Sequence, residues 1–572
     1  MSTATTPKKP LQPSGESKTT PGKSADWLDQ RTGIAKVVKV FARKVFPDHW
    51  SFLLGEIALY SFIVILLSGV FLAFFFEPSM AEVHYPDDAL PVTMQGVEMS
   101  AAYASTLKLS FHVPGGLLMR QIHHWAALLF IASIVVHMFR VFFTGAFRKP
   151  REINYLVGFM MLLLALAAGL TGYSLPDDVL SGNGLRITDG VIKSIPILGS
   201  YVSLALFGGE FPGTDIISRF FALHILLIPG LILALVTLHI MLVTLQKHTH
   251  YPGPGRTNRN VVGRPLFPVY AAKGGGWFFI VAGVIVLMGA LLSINAVWNY
   301  GPYDPSPVSA GAQPDWYMLF LEGGLRLMPG WEVVIAGYTL SLNVLIPALI
   351  IPGALFTALG AYPFIEKLAS KDDREHHLLE RPRNNPTRTA IGVSLITAFA
   401  VLVAAGANDL LATHLHLDMF VITWVLRFGF FLFPWFAFML TKRIAISLQR
   451  RDRELVLHGV PTGRVVQTED GAMHAVHRPL DEYELWTLAS YEPNRPLESG
   501  IEVNKYGVER RTGVAPWRRR LSQFFYEDRI EPVTPAELEA MEHRHHEGAP
   551  SQSIARLTSV TAGEELEERR RR

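Results

Sequence analysis

The chain has 572 residues, 49% of them hydrophobic, a formal charge of +3 and no cysteine. Its length suggests several soluble domains, but repeated runs of about 20 apolar residues, each long enough to cross a bilayer, exclude that arrangement. The absence of cysteine excludes disulfides, thiolate ligands, a cysteine-held iron–sulfur cluster and covalent c-type haem attachment within this chain.

Residues 1–25 are polar and rich in Pro, Ser, Thr and Lys, which predicts a disordered tail. Within 26–50 the stretch "GIAKVVKVFARKVF" is basic and amphipathic. It suits a helix lying on the cytoplasmic membrane surface, the alternative being a helix packed on the core. Eight apolar runs follow, at about 51–76, 118–142, 154–175, 217–245, 277–297, 335–360, 390–407 and 420–441. The loops after runs two, four and eight are basic ("RVFFTGAFRKPRE", "QKHTHYPGPGRTNRNVVGRP", "TKRIAISLQRRDR"). Those after runs one and seven are acidic, and the positive-inside rule therefore puts both termini in the cytoplasm. Long Pro- and Gly-rich loops after runs three and five fall on the outer face, where such loops are often functional. Residues 446–572 read as a polar cytoplasmic extension ending in "EELEERRRR".

Run two, "RQIHHWAALLFIASIVVHMFR", carries three histidines between two arginines. A helix turns about 100° and rises about 1.5 Å per residue, so His123 and His137, 14 apart, share a face and sit roughly 21 Å apart. His124 points elsewhere. In run four His224 and His239 are 15 apart, within about 60° of alignment, with Pro229–Gly230 between them to alter the local winding. Two antiparallel helices so marked make two cross-helix pairs, His123 with His224 and His137 with His239. That is the arrangement of bis-imidazole iron ligation, and polar groups kept in lipid are functional candidates. Arg120 and Arg140 lie three residues outside His123 and His137, on the same face, and could reach haem propionates or snorkel to the interface. Gly55 and Gly69 in run one, and Gly158 and Gly172 in run three, repeat the interval of 14 and would leave room for two flat macrocycles.

These residues resemble cytochrome b, the membrane subunit of quinol:cytochrome c oxidoreductase, over about residues 45–445. "GYSLPDD" at 172–178 is similar to the family's stretch after the third span, and "PDWY" at 314–317 to its Pro-Glu-Trp-Tyr signature, with Asp315 in place of glutamate. The fused eight-span chain and long tail look most like the actinobacterial type, which oxidises menaquinol. The resemblance implies an all-α integral membrane protein of a bacterial cell membrane. It would have a di-haem four-helix domain at 51–250, a four-span domain with the "PDWY" loop at 251–445, and a cytoplasmic extension at 446–572. It implies two non-covalent b-type haems and menaquinol oxidation at the outer face. One electron would go to a Rieske iron–sulfur subunit and one through the haems to quinone at the cytoplasmic face, contributing to a proton gradient. Asp315 would accept a proton, or cap a helix starting at Trp316. Glu322 would be a second quinol contact or relay, or a solvated acid. Tyr317 and Gly184 match pocket-lining positions. The mitochondrial form has an aspartate after a lysine at its inner quinone site. Here Lys273 precedes Gly274, leaving His248 and His250 as nearby substitutes.

The implied partners are the Rieske subunit, a membrane-bound di-haem cytochrome c subunit, a second copy in a homodimer, a terminal cytochrome c oxidase in a supercomplex, and lipid, with no nucleic acid. Two other readings compete. A different di-haem anchor needs neither the paired glycines nor "PDWY", and a proton-relaying transporter would carry no haem.

Overall fold

The computed structural model describes residues 19–85, 94–306, 313–498, 500–503, 507, 509–534 and 536–537. Among the described residues, eight helices are long and apolar enough to cross a membrane: Trp50–Ala73, Gly116–Phe143, Glu152–Ser174, Ile216–Gln246, Leu266–Leu291, Leu342–Ser370, Pro386–Gly406 and Met419–His458, called spans one to eight. A helix satisfies its backbone internally, which is why such runs take this form in hydrocarbon.

Several boundaries differ from the sequence reading. Span six starts later because "EVVIAGYTLS" forms a hairpin, Glu332–Ile335 against Tyr338–Ser341, turning at Ala336 and Gly337, both with positive φ. Its apolar residues count toward a hydropathy run although they are extended. Span eight runs on to His458, well past 445. Residues 20–25, expected to be disordered, belong to a helix Thr20–Thr32 capped by Thr19 and ended by left-handed Gly33. The rest of the predicted N-terminal tail and "EELEERRRR" lie outside the described residues. The next helix, Ile34–Ala42, buries nothing and exposes Val37, Val38 and Phe41, so it is not a core-packing helix.

In span four the winding change is a π-helical turn, Leu223–Leu227, just before Pro229. A π turn takes up an extra residue, which accounts for the interval of 15. Span one packs on span two and span three on span four, while span five lies against the first pair. The loops after spans two, four and six meet at one end: His250 N–H donates to His377 O (2.9 Å), Glu380 N–H to Thr144 O (3.0 Å) and Arg151 to His376 O (2.7 Å). Val45–Phe46 pairs there with Arg264–Pro265. The odd loops meet at the other end, where Arg120 donates to Asn295 O (2.7 Å) and Tyr303 N–H to Asp177 O (3.0 Å).

The C-terminal extension returns to the bundle. Its helix Pro516–Tyr526 places Phe525 and Tyr526 among Phe142, Phe147, Tyr155 and Tyr362. Beside them Arg388, 1% exposed, pairs with Glu366 (3.3 Å) and Glu380, and Glu380 also binds Arg148 (2.6 Å).

Candidate functional site

The four-span bundle contains two cavities, one toward each end. The outer one, about 490 Å³, is lined by Gly69, Arg120, His123, Gly172 and His224. The inner one, about 420 Å³, is lined by Gly55, His137, Arg140, Gly158 and His239. Phe62 and Phe130, stacked with centroids 5.4 Å apart, line both and divide them. Each cavity therefore receives a histidine from span two facing one from span four, and a glycine from each of spans one and three, and the outer cavity has His124 and Gly169 on its wall as well.

The outer pair is poised to share a ligand. The His123 and His224 ring centroids are 6.1 Å apart. An imidazole nitrogen binds a transition metal at about 2 Å, so two rings flanking one metal have centroids about 6 Å apart. His224 Nδ1 donates to Ala168 O (3.0 Å), which only accepts, and this leaves the Nε2 lone pair free. The Ser68 hydroxyl donates to Val64 O (2.7 Å) and so accepts from His123 Nδ1 (3.0 Å), with the same result. Fixing the tautomer through the far nitrogen is what metal-binding histidines require.

The glycines meet the histidines one for one. A Cβ built at Gly69 would lie 3.1 Å from His123, at Gly55 3.2 Å from His137, at Gly158 3.7 Å from His239, and at Gly172 it would strike His224. Arg120 Nε and Arg140 Nε and Nη2 are buried without protein partners on the cavity walls. The glycine cradles of both cavities, the free lone pairs of the outer imidazoles and the guanidinium nitrogens left without partners together fit two haems.

Asp315, Tyr317 and His124 share the outer cavity. Tyr317 donates to Asp315 Oδ2 (3.1 Å), and His124 Nε2 lies 3.2 Å from Oδ1. The helix after "PDWY" starts at Leu319, not Trp316, and Asp315 makes no side-chain cap to it. A Cβ at Gly169 would come within 2.5 Å of the Tyr317 hydroxyl, so this glycine makes room for the phenol. Glu322 is not on the cavity wall: Oε1 pairs with Arg326, Oε2 is buried without a partner, and burial raises its carboxyl despite Arg326. Gly184 does not line the cavity, and a side chain there would meet nothing within 4 Å.

At the inner end Lys273 is exposed and pairs with Asp48, off the cavity wall. His250 is held by Thr257 O (3.0 Å) and Val262 N–H (3.3 Å), a loop-building role. His248 does line the cavity, but burial, with Arg151, Arg140 and Lys44 nearby, pushes its imidazole down to about 4. Sequence reasoning passed over Glu56, Tyr60 and Tyr270 on the same wall, although an acid inside an apolar run is itself a signal. It also passed over His124 as a partner of Asp315, for which 191 residues of separation left no local cue.

The family described as "Cytochrome b(N-terminal)/b6/petB" matches residues 128–302. The chain is 54% identical over 527 residues to the "Cytochrome bc1 complex cytochrome b subunit" of Streptomyces coelicolor, covering 91% of this chain and 96% of the relative. The chain belongs to the cytochrome b family. The Mycobacterium tuberculosis cytochrome b of the same description is 50% identical over 459 residues, 80% of this chain and 83% of that one. A solved structure titled "Hyperthermophilic respiratory Complex III" shares the fold, with a TM-score of 0.55 and 21% identity over 74% of this chain and 99% of its own. The cytochrome b assignment gives the eight spans their context, and this protein is a subunit of a quinol:cytochrome c oxidoreductase.

Proposed function

We propose that this cytochrome b oxidises menaquinol at its outer cavity and reduces quinone at its inner one, with two b-type haems held between spans two and four. The observation that carries this reading is the outer wall, where the His123–His224 pair and the Asp315–Tyr317 pair face one cavity. When bound, each haem supplies a reversible one-electron iron couple, and the two together link the ends of the bundle. His123 and His224 would hold one and His137 and His239 the other, and Arg120 and Arg140 would answer their propionates.

Asp315 is the proton acceptor for the quinol hydroxyl. Its carboxylate is on the cavity wall, and Tyr317, only 4% exposed, fixes its orientation. His124 holds the second oxygen. The largely apolar walls exclude water from the reacting group, which strengthens these charge interactions. The basic loops after spans two, four and eight support a cytoplasmic location for both termini in a bacterial cell, and the loop after span six, of mixed sign, adds little. Without cysteine, the chain depends on a Rieske iron–sulfur subunit and a cytochrome c subunit for onward transfer. A dimer of the complex and association with a terminal oxidase complete the proposed assembly.

The test is a reduced-minus-oxidised spectrum of the purified complex with each of the four histidines replaced singly. Each replacement is expected to remove one of two b-type signals. An unchanged spectrum in all four sinks the reading. Asp315→Asn should keep both signals and lower quinol oxidation by roughly 100-fold or more.

A further inference from the structure

Reduction of a quinone consumes two protons, so the inner cavity needs an acid connected to water. Among the described residues that line it, Glu56 is the single carboxylate. Its Oε2 accepts from the Tyr60 hydroxyl (3.2 Å) and its Oε1 from the Tyr270 hydroxyl. All three residues are on the cavity wall. Glu56 follows Gly55, the glycine that faces His137, so the carboxyl sits at the inner pair and not at the membrane surface.

Water is close by. Tyr270 and Lys273 are three apart on span five, hence on one helix face. Lys273 pairs with Asp48, and both are more than two-fifths exposed. The lysine holds the Asp48 carboxyl below its usual range. From the facing elements come Arg140 on span two, Arg151 just before span three, and Lys247 and His248 after span four. Burial and the nearby Arg151, Arg140 and Lys44 hold the His248 imidazole down, and Glu56 is the carboxyl group on this wall, already bonded to two phenols.

We propose that Glu56 is a catalytic proton donor to quinone at the inner cavity, oriented by Tyr60 and Tyr270 and recharged through the Lys273–Asp48 pair. This rests on the proposed quinone reduction. The quinone takes two electrons, one from each of two quinol molecules oxidised in turn at the outer cavity, whose other electrons leave to the Rieske subunit. The Glu56 O–H bond then breaks as an O–H bond forms on a quinone oxygen, leaving the carboxylate. Water returns a proton to Glu56 and supplies the second proton of the quinol by the same route.

The structure provides a rescue. A Cβ at Gly274 would lie 3.9 Å from Glu56 Oε2 and 3.1 Å from the Tyr60 hydroxyl, the movable end of a side chain. A carboxylate planted at 274 therefore reaches the same place from span five.

The experiment uses the whole purified complex with a short-chain menaquinol. Glu56→Gln is expected to lower turnover roughly 100-fold, keep the full b-type difference spectrum, and accumulate reduced b-type signal in the steady state. Glu56→Gln with Gly274→Asp is expected to recover at least about a tenth of turnover, with the acid limb of the pH profile displaced. Glu56→Gln turning over within twofold, on an unshifted pH profile, overturns the proposal. Should that variant not assemble, Glu56→Asp decides: an unchanged pH profile overturns, a displaced one supports. A wild-type complex without b-type signal would instead overturn the wider reading.

Discussion

Adding one methyl group at each cradle glycine probes the haem assignment directly. At Gly172 the new Cβ would strike His224 Cε1 and lie 2.9 Å from Nε2 and 3.0 Å from Nδ1. Relaxed heavy-atom contacts are about 3.5–4.0 Å, so the ring must retreat by roughly 1 Å. That breaks its 3.0 Å bond to Ala168 O and its 3.3 Å contact with Thr171 Oγ1. A buried polar group left unsatisfied costs about 1–3 kcal/mol, and overpacking costs about 1–3 kcal/mol more. At about 1.4 kcal/mol per decade, even the low end of about 2 kcal/mol weakens outer-site retention by more than about tenfold. At Gly158 the Cβ would be 3.7 Å from His239, an ordinary contact, and the cost to the histidine should stay under about 1 kcal/mol. Gly55 and Gly69, at 3.2 and 3.1 Å, fall between. The assay is haem counted per chain, with difference spectra, on purified complexes of the four Gly→Ala variants. Gly172→Ala should lose the outer signal and Gly158→Ala should keep both. Equal retention in those two variants would refute the steric argument.

Three further outcomes are expected. Tyr317→Phe leaves Asp315 with one fewer charge-assisted donor, worth about 1.5–3 kcal/mol; quinol oxidation measured by stopped flow should slow by about 10- to 100-fold with both b-type signals retained, and an unchanged rate would remove the phenol from the site. Burial and the neighbouring Asp178 raise Asp177 to about 6 from an ordinary 3.8, opposed by Ser100. A raised carboxyl favours the folded state below about pH 4 and loses that contribution as pH rises through about 6, so Asp177→Asn should stabilise the complex by up to about 3 kcal/mol at pH 7.5 and little at pH 4. Asparagine also tolerates the positive φ of 53° there, and thermal loss of the b-type spectrum at the two pH values checks the sign. Arg388→Leu strands Glu366 and Glu380 in a buried site and should cost about 3–5 kcal/mol, read as loss of assembled complex at growth temperature; normal yield would show those acids to be protonated.

What was legible in the sequence was local. The shared faces of His123 with His137 and Gly55 with Gly69 follow from helical geometry alone, and they lead to the two cavities. The interval of 15 in span four was visible, but its π turn was not, because a proline nearby offered an equally good explanation. "EVVIAGYTLS" was misread because hydropathy counts apolar residues without regard to whether they alternate. The Asp315–His124 and Glu56–Tyr270 contacts join residues 191 and 214 positions apart, and no periodicity encodes which loop meets which helix.

The helix Pro516–Tyr526 carries a consequence for biogenesis. Thr387 at the start of span seven donates to Phe524 O (3.1 Å), and Arg518 donates to Leu368 O (2.7 Å) near the end of span six. Those two spans emerge from the ribosome more than a hundred residues before the segment that caps them. The newly inserted protein must therefore wait, with the aromatic seam beneath Tyr362 uncovered, until that segment has been made. Quality control acting on nascent membrane proteins would meet this chain at that stage.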